Sequence, residues 1–231
     1  FTEARLQHFA AYAVPYSGAG PLQATMVWAS QANTVSTAFW TLLFVLHDPR
    51  ARAAIAEEVR AAPDLSHASL KRMARLESAI SEALRLTSLS LILRKAAADL
   101  ELDLDDGRRL RVRRGEVLTL YPRLTHIDPE IYPQPFAFQH DRFLGQDGAP
   151  RHFDKGGRRV TFNLVPFGAG RNMCPGRYFA RNEFKLVVAT ILRSYDLDLL
   201  SHQLPGLTYA RFGLGTPPPL QDVPFRIAAA S

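Results

Sequence analysis

Cys174 is the only thiol in the chain, and it lies in FGAGRNMCPGRYFARNE, residues 167–183, among glycines and a proline. A lone cysteine is ordinarily a small buried hydrophobe. Here Gly168 and Gly170 permit positive backbone dihedrals and bring the main chain close to a large flat object, while Pro175 and Gly176 stand where a helical pattern begins. The sulfur is therefore expected beside a helix N-terminus, where unpaired N–H groups and the dipole favour thiolate over thiol. Nucleophile, redox sensor and metal ligand are the roles open to such a thiolate. Zinc calls for more cysteines or clustered histidines, and the 7 histidines show no such spacing near Cys174. A nucleophile calls for a histidine base, which sequence alone does not place. A haem iron needs one strong axial thiolate.

The elements that must position this loop are mostly helices. From Pro21 to Asp48 the stretch LQATMVWASQANTVSTAFWTLLFVLH carries no charge and is long enough to span a membrane, but SQANT at Ser30 to Thr34 sets hydroxyls and amides at its middle. That predicts one long helix through the core of a domain, its polar groups either facing a polar cavity or bonded internally. A second helix runs from Pro49 to before Pro63. A third, SLKRMARLESAISEALRLT, puts Met73, Leu76, Ile80 and Leu84 on one face. The period then changes to two: Leu100, Leu102 and Leu104 alternate with acids, Asp105 to Gly107 make a turn, and Leu110, Val112 and RRGEVLTL follow as strands. From Tyr121 to Val165 prolines and aromatics dominate, which predicts a long meander pinned by Tyr132, Phe136, Phe138 and Phe143. A helix resumes after Cys174, and strand-like pieces around TPPPL close the chain. The fold class is mainly α with small β-sheets, α+β.

Three landmarks in this order carry a resemblance. Phe167, Gly170, Cys174 and Gly176 form Phe-x-x-Gly-x-x-x-Cys-x-Gly; Glu82-x-x-Arg85 lies on the third helix; and Arg142 stands in HDRF between them. Together they resemble the cytochrome P450 family, whose C-terminal half they would span. By itself Glu-x-x-Arg is a common surface pair worth little. The resemblance implies a P450 fold, haem b (iron protoporphyrin IX) as cofactor, Cys174 as axial ligand of the haem iron, and Phe167, Gly168, Gly170, Gly176, Ala180 and Arg94 at the cofactor, Arg94 toward a propionate. It also implies that Glu82, Arg85 and Arg142 form a buried network. WASQANT, LYPRLTHIDPEIYP, DRFLGQDG and PPLQDVPFR resemble the branch of sterol 7α- and 12α-hydroxylases and prostacyclin synthase, nearest to the 7α-hydroxylases, so a sterol or another lipid is the implied substrate.

Two departures accompany the resemblance. The acid-threonine pair of the family's central helix falls on Ala32 and Asn33; Asn33 is no acid but can hold a water or an oxygen ligand, and Thr34 follows about a third of a turn away. Asn33 and Thr34 are the catalytic candidates. Asn172 stands where relatives carry a propionate arginine, with Arg171 beside it. The implied reaction is hydroxylation with dioxygen and outside electrons; the alternatives are a haem-thiolate isomerase of lipid endoperoxides or hydroperoxides, and a non-catalytic truncated haem-binding module.

At 231 residues, 47% hydrophobic and 22% charged, the chain can bury one sizeable core, and the absence of repeats or a low-complexity linker predicts one domain over residues 1–231. It opens on Phe1 with no basic-then-apolar leader, so an N-terminally truncated piece of a longer protein is expected. One cysteine fits a reducing, intracellular compartment. The net charge of +6 favours acidic partners, but RRLRVRR at 108–114 alternates like a solvated strand face and lacks interleaved aromatics, so no nucleic-acid partner is expected. No Rossmann or flavin motif appears, so a reductase of the NADPH-cytochrome P450 reductase type is the implied electron donor. Arg177, Arg181 and Lys185 recur every four residues after the cysteine, as a stripe for docking it or as a solvated face. For a eukaryotic full-length protein the resemblance implies the endoplasmic reticulum membrane, reached through the part N-terminal to this chain.

Overall fold

One helix boundary falls where capping chemistry puts it. Asp48 ends one helix and starts the next, its carboxylate accepting from the N–H groups of Arg50 (2.9 Å) and Ala51 (3.3 Å), with Pro49 at the first turn, where a missing N–H costs nothing. The computed structural model describes residues 2–104 and 106–230. Its helices are α1 (Thr2–Ala11), α2 (Tyr16–Ala32), α3 (Thr34–His47), α4 (Pro49–Ala61), α5 (His67–Arg72), α6 (Ala74–Thr87), the short α7 (Arg123–His126) and α8 (Arg177–Ser194). The third helix of the sequence reading is thus divided at Met73, and a single turn of helix, α7, interrupts the meander.

The core lies between α3, α4, α6 and α8. Met73, Leu76, Ile80 and Leu84 are all buried, and they pack with Val45, Ile55, Val59, Phe184, Val188 and Leu192. Each such side chain contributes about 1.5–3 kcal/mol by leaving water. A second cluster joins Trp40, Leu43 and Phe44 of α3 to Ala83 and Leu86 of α6, and Trp40 Nε1 donates to the carbonyl of Pro217 at 2.8 Å.

The expected single helix from Pro21 to Asp48 is two helices with the ladder interrupted at Asn33 (φ −102°, ψ −27°). Only α3 lies in the core; along α2, Val27 and Trp28 are exposed. The cause of the break is local competition: the Asn33 amide and the Ala32 carbonyl at the end of α2 bond a distant loop, residues 211–216. Thr25 and Ser30 bond carbonyls of their own helix at 2.8 Å, so internal bonding, the plainer reading, holds for those two. No helix among the described residues is long and apolar enough to cross a membrane.

The strands form separate antiparallel pairs rather than one sheet: β1 (Ile92–Lys95) with β4 (Val117–Leu120), β2 (Leu100–Asp103) with β3 (Arg109–Val112), β5 (Asp154–Lys155) with β6 (Arg158–Arg159), and β7 (Tyr195–Leu199) with β8 (Phe225–Ala229). Leu100 faces Val112 and Leu102 faces Leu110, the register the alternation requires. Asp105 of the intervening turn lies outside the described residues. Arg109 pairs with Asp103 (2.9 Å) and Glu101 (3.2 Å), and Arg111 with Glu101 (2.8 Å), so these two arginines pair across their own hairpin. In the meander Tyr132, Phe143 and Phe153 pack ring on ring, and Phe138 lies against Phe44 at 5.1 Å. Phe136 departs from expectation and is 71% exposed, because the chain turns outward beside Gln134, whose φ is +53°.

Candidate functional site

The cysteine loop is closed at its base by the N–H of Cys174 donating to the carbonyl of Phe167 at 2.9 Å. Inside that span the chain makes one 3-10 turn, Gly170–Asn172, made possible by positive φ at Gly168 (+73°) and Gly170 (+68°). Cys174 is half-buried, two residues before the N-cap of α8, and its Sγ lies 3.9 Å from where a Cβ on Gly176 would stand. Below the loop, Phe167 and Ala180 pack against the main core. Arg94 of β1 reaches across: Nη2 donates to the carbonyl of Ala169 at 2.8 Å and lies 3.9 Å from the Cβ position of Gly170. Phe167, Gly168, Gly170, Cys174, Gly176, Ala180 and Arg94 therefore make one assembly around the thiol. Arg171 and Asn172 are exposed.

The assembly fits a flat metallocofactor that brings its own equatorial ligands. The cysteine is half-buried, glycines flank it without side chains, and the Arg94 guanidinium at the loop has donors to spare for an anionic edge. Among the described residues no three His, Cys, Asp or Glu side chains gather as a chelating metal site.

Glu82, Arg85 and Arg142 meet in the interior. Glu82 Oε2 accepts from Arg85 Nε at 2.7 Å, and its Oε1 from Arg85 Nη2 and Arg142 Nε, both at 2.8 Å, and from the N–H of Gln139 at 3.2 Å. The remaining guanidinium N–H groups go to carbonyls of the meander: Arg85 Nη1 to His126 (2.6 Å) and Pro135 (2.7 Å), Arg142 to Pro133, Gln134 and Ala137. A buried ion pair survives desolvation only with such complete bonding. The network thus fastens an otherwise irregular segment to α6.

Asn33 and Thr34 sit at the junction of α2 and α3. Asn33 Oδ1 accepts from the N–H of Thr216 and from Arg211 Nη2, both at 3.2 Å, and its Nδ2 donates to the carbonyl of Leu214 at 3.3 Å. Arg211 Nη1 also donates to the carbonyl of Ala32 at 2.5 Å. Thr34 is buried. Residues 213–215 are joined in turn to Leu89 and Leu91, by the N–H groups of Leu89 (2.9 Å) and Leu91 (3.1 Å), and that segment runs on to Arg94. At ~3.3 Å per extended residue, Arg94 stands roughly 10 Å beyond Leu91, so one strand connects the Asn33 junction to the cysteine loop.

Two members of the basic stripe on α8 are tied to α6. Arg181 pairs with Glu77 and bonds Ser81 Oγ at 3.1 Å, and Lys185, 5% exposed, bonds Glu77 at 2.9 Å and the carbonyl of Leu70 at 3.0 Å. Arg177 lies over the Tyr178 ring and donates to the carbonyl of Cys174 at 3.0 Å. Burial would raise the Glu77 carboxyl, but Arg181 and Lys185 outweigh it and hold it below its ordinary value. Arg181 and Lys185 turn toward α6 because the Glu77 carboxylate attracts both cations, whereas Arg177 stays partly exposed beside the cysteine loop.

Sequence reasoning also missed His126, Arg123 and Arg211. Burial chiefly, then Arg123 and Arg85, pulls His126 down to about 3, and burial pushes the Tyr132 phenol up. A histidine before an Asp-Pro turn was the only signal, and it looks like a surface residue.

Comparison with known proteins agrees with this geometry. The profile of the family described as Cytochrome P450 matches residues 22–225. Cytochrome P450 7A1 of Rattus norvegicus is 38% identical over 218 residues, covering 87% of this chain and 43% of the relative. Cholesterol 7-alpha-monooxygenase of Cricetulus griseus is also 38% identical over 218 residues, with the same coverage of 87% and 43%. The 7-alpha-hydroxycholest-4-en-3-one 12-alpha-hydroxylase of Homo sapiens is 36% identical over 236 residues, covering 96% of this chain and 47% of the relative. The chain therefore spans less than half the length of these relatives.

Proposed function

The chain belongs to the cytochrome P450 family, and from that premise we propose that its protein is a haem-thiolate monooxygenase hydroxylating a sterol or a related lipid, with residues 1–231 as part of one haem domain. The observation that carries the reading is the lone half-buried thiol on a glycine loop braced by Arg94 and Phe167. Haem b, the cofactor of the family, supplies dioxygen activation when bound, with thiolate ligation favouring O–O cleavage. Cys174 would be the ligand, Gly168 and Gly170 would let the backbone approach the ring, and Arg94 would pair with an anionic edge. Electrons come from an external reductase. Asn33, with Thr34 as its neighbour, would hold a water through its remaining amide N–H rather than give up a proton of its own.

A second reading, isomerisation of a lipid endoperoxide or hydroperoxide, draws support from the same Asn33: its oxygen already accepts from Arg211 and Thr216, which suits a reaction without a proton relay. Coupled turnover separates the two. With a reductase present, the monooxygenase consumes NADPH and dioxygen in step with sterol hydroxylation. Endoperoxide rearrangement without NADPH consumption refutes that reading in favour of the isomerase.

A further inference from the structure

His126 is fully buried at the end of α7, and nothing in the function above uses it. Its carbonyl accepts from Arg85 Nη1 at 2.6 Å, so its backbone is fixed by the Glu82 network. Its ring points the other way. Nε2 accepts from the N–H of Val165 at 3.0 Å, which requires the neutral tautomer with the proton on Nδ1. Val165 precedes by two residues Phe167, whose carbonyl receives the N–H of Cys174 at 2.9 Å. Glu82, Arg85, His126, Val165, Phe167 and Cys174 thus form one continuous series of bonds and short chain segments from α6 to the sulfur.

The other ring nitrogen, Nδ1, is buried with no hydrogen-bond partner among the described residues. Burying a polar atom unsatisfied opposes folding. An apolar side chain would fill the same space without that cost, so what the imidazole provides is the acceptor for Val165, whose N–H enters the loop from irregular chain.

We propose that His126 is a positioning residue for the Cys174 loop: its ring ties Val165 to the Glu82–Arg85 pair and so sets where the sulfur stands. This deepens the haem-thiolate reading and rests on it. The ring touches neither cofactor nor substrate; it acts through the loop.

The test exploits reach. In His126→Gln the amide oxygen can take the place of Nε2, whereas His126→Asn puts its polar atoms only where Nδ1 was. Both are made in the intact protein, and amide hydrogen exchange at Val165 is read without haem, the thiolate form of the ferrous carbon-monoxide spectrum with haem, and the urea midpoint for global stability. The expected result is that His126→Asn speeds Val165 exchange by roughly tenfold or more and depletes the thiolate form, while His126→Gln restores both. Asn and Gln variants equal in both readouts, with only their urea midpoints lowered, would reduce His126 to a space-filling residue and overturn the proposal. Should the Asn variant not fold, the wild type still decides: a Val165 amide exchanging as fast as an exposed loop contradicts the bond, and protection supports it. A wild type lacking the thiolate form defeats the assignment of Cys174, and Val165 exchange then judges the His126 link separately.

Discussion

Replacing Glu82 by glutamine removes one charge and almost no volume, so its effect isolates the ion network. The carboxylate is fully buried, and Oε1 accepts from three donors at 2.8, 2.8 and 3.2 Å while Oε2 accepts from Arg85 Nε at 2.7 Å. The glutamine oxygen will keep the position with three donors, so its NH2 is driven against Arg85 Nε, donor to donor. Two buried guanidinium groups then lose their counter-charge. Breaking a buried pair in this way costs about 3–5 kcal/mol, against a total stability of about 5–15 kcal/mol. With a urea slope of about 1–3 kcal/mol per molar, the midpoint falls on the order of 1–5 M. Glu101→Gln is the control: its partners Arg109 and Arg111 are exposed, and a surface pair is worth about 0–1 kcal/mol. Urea unfolding of the intact protein and both variants measures the difference. If Glu82→Gln loses no more than Glu101→Gln, the claim that this network holds the meander is wrong.

Other consequences follow from single contacts. His126 is held down to about 3 by burial, Arg123 and Arg85, whereas an unfolded histidine titrates near 6.5. Above pH 6.5 its contribution is intact; as pH falls from there toward 3 the unfolded chain takes up a proton that the folded one refuses, and stability drops by up to roughly 4 kcal/mol. Over that interval wild type should lose stability relative to His126→Gln, and parallel curves would contradict it. Gly215 has φ +125°, and a Cβ there would collide with the Asn33 amide, so Gly215→Ala should detach the 211–216 loop and cost about 1–3 kcal/mol, read as faster exchange of the Thr216 amide. Glu77→Gln should destabilise by more than about 1 kcal/mol, because Lys185 is nearly buried and keeps only the Leu70 carbonyl. Unchanged thermal unfolding would show that α6 and α8 do not need that carboxylate.

Local pattern made much of this fold legible. The face of Met73, Leu76, Ile80 and Leu84, the Leu100–Val112 hairpin and the helix after Pro49 follow from periodicity and capping, which act over a few residues. The cysteine loop was readable because glycine, proline and thiol are rare types with narrow uses. What stayed hidden depends on partners far away in sequence. The interruption at Asn33 is imposed by residues about 180 positions downstream, and Arg181 and Lys185 turn inward for Glu77, about 100 positions upstream. His126 carries no local mark of burial; only the arrival of Val165 and Arg85 shows what its two ends do. The interleaving of Arg85 and Arg142 with meander carbonyls was likewise beyond pattern, because a loop without period announces no partners.

The central claim is that Cys174 binds haem iron through its sulfur. The most direct measurement is the ferrous carbon-monoxide spectrum of the haem-loaded intact protein beside that of Cys174→Ala. The thiolate-ligated band should be present in the first and abolished in the second, with the fold retained by circular dichroism; a band that survives the substitution unchanged contradicts the account.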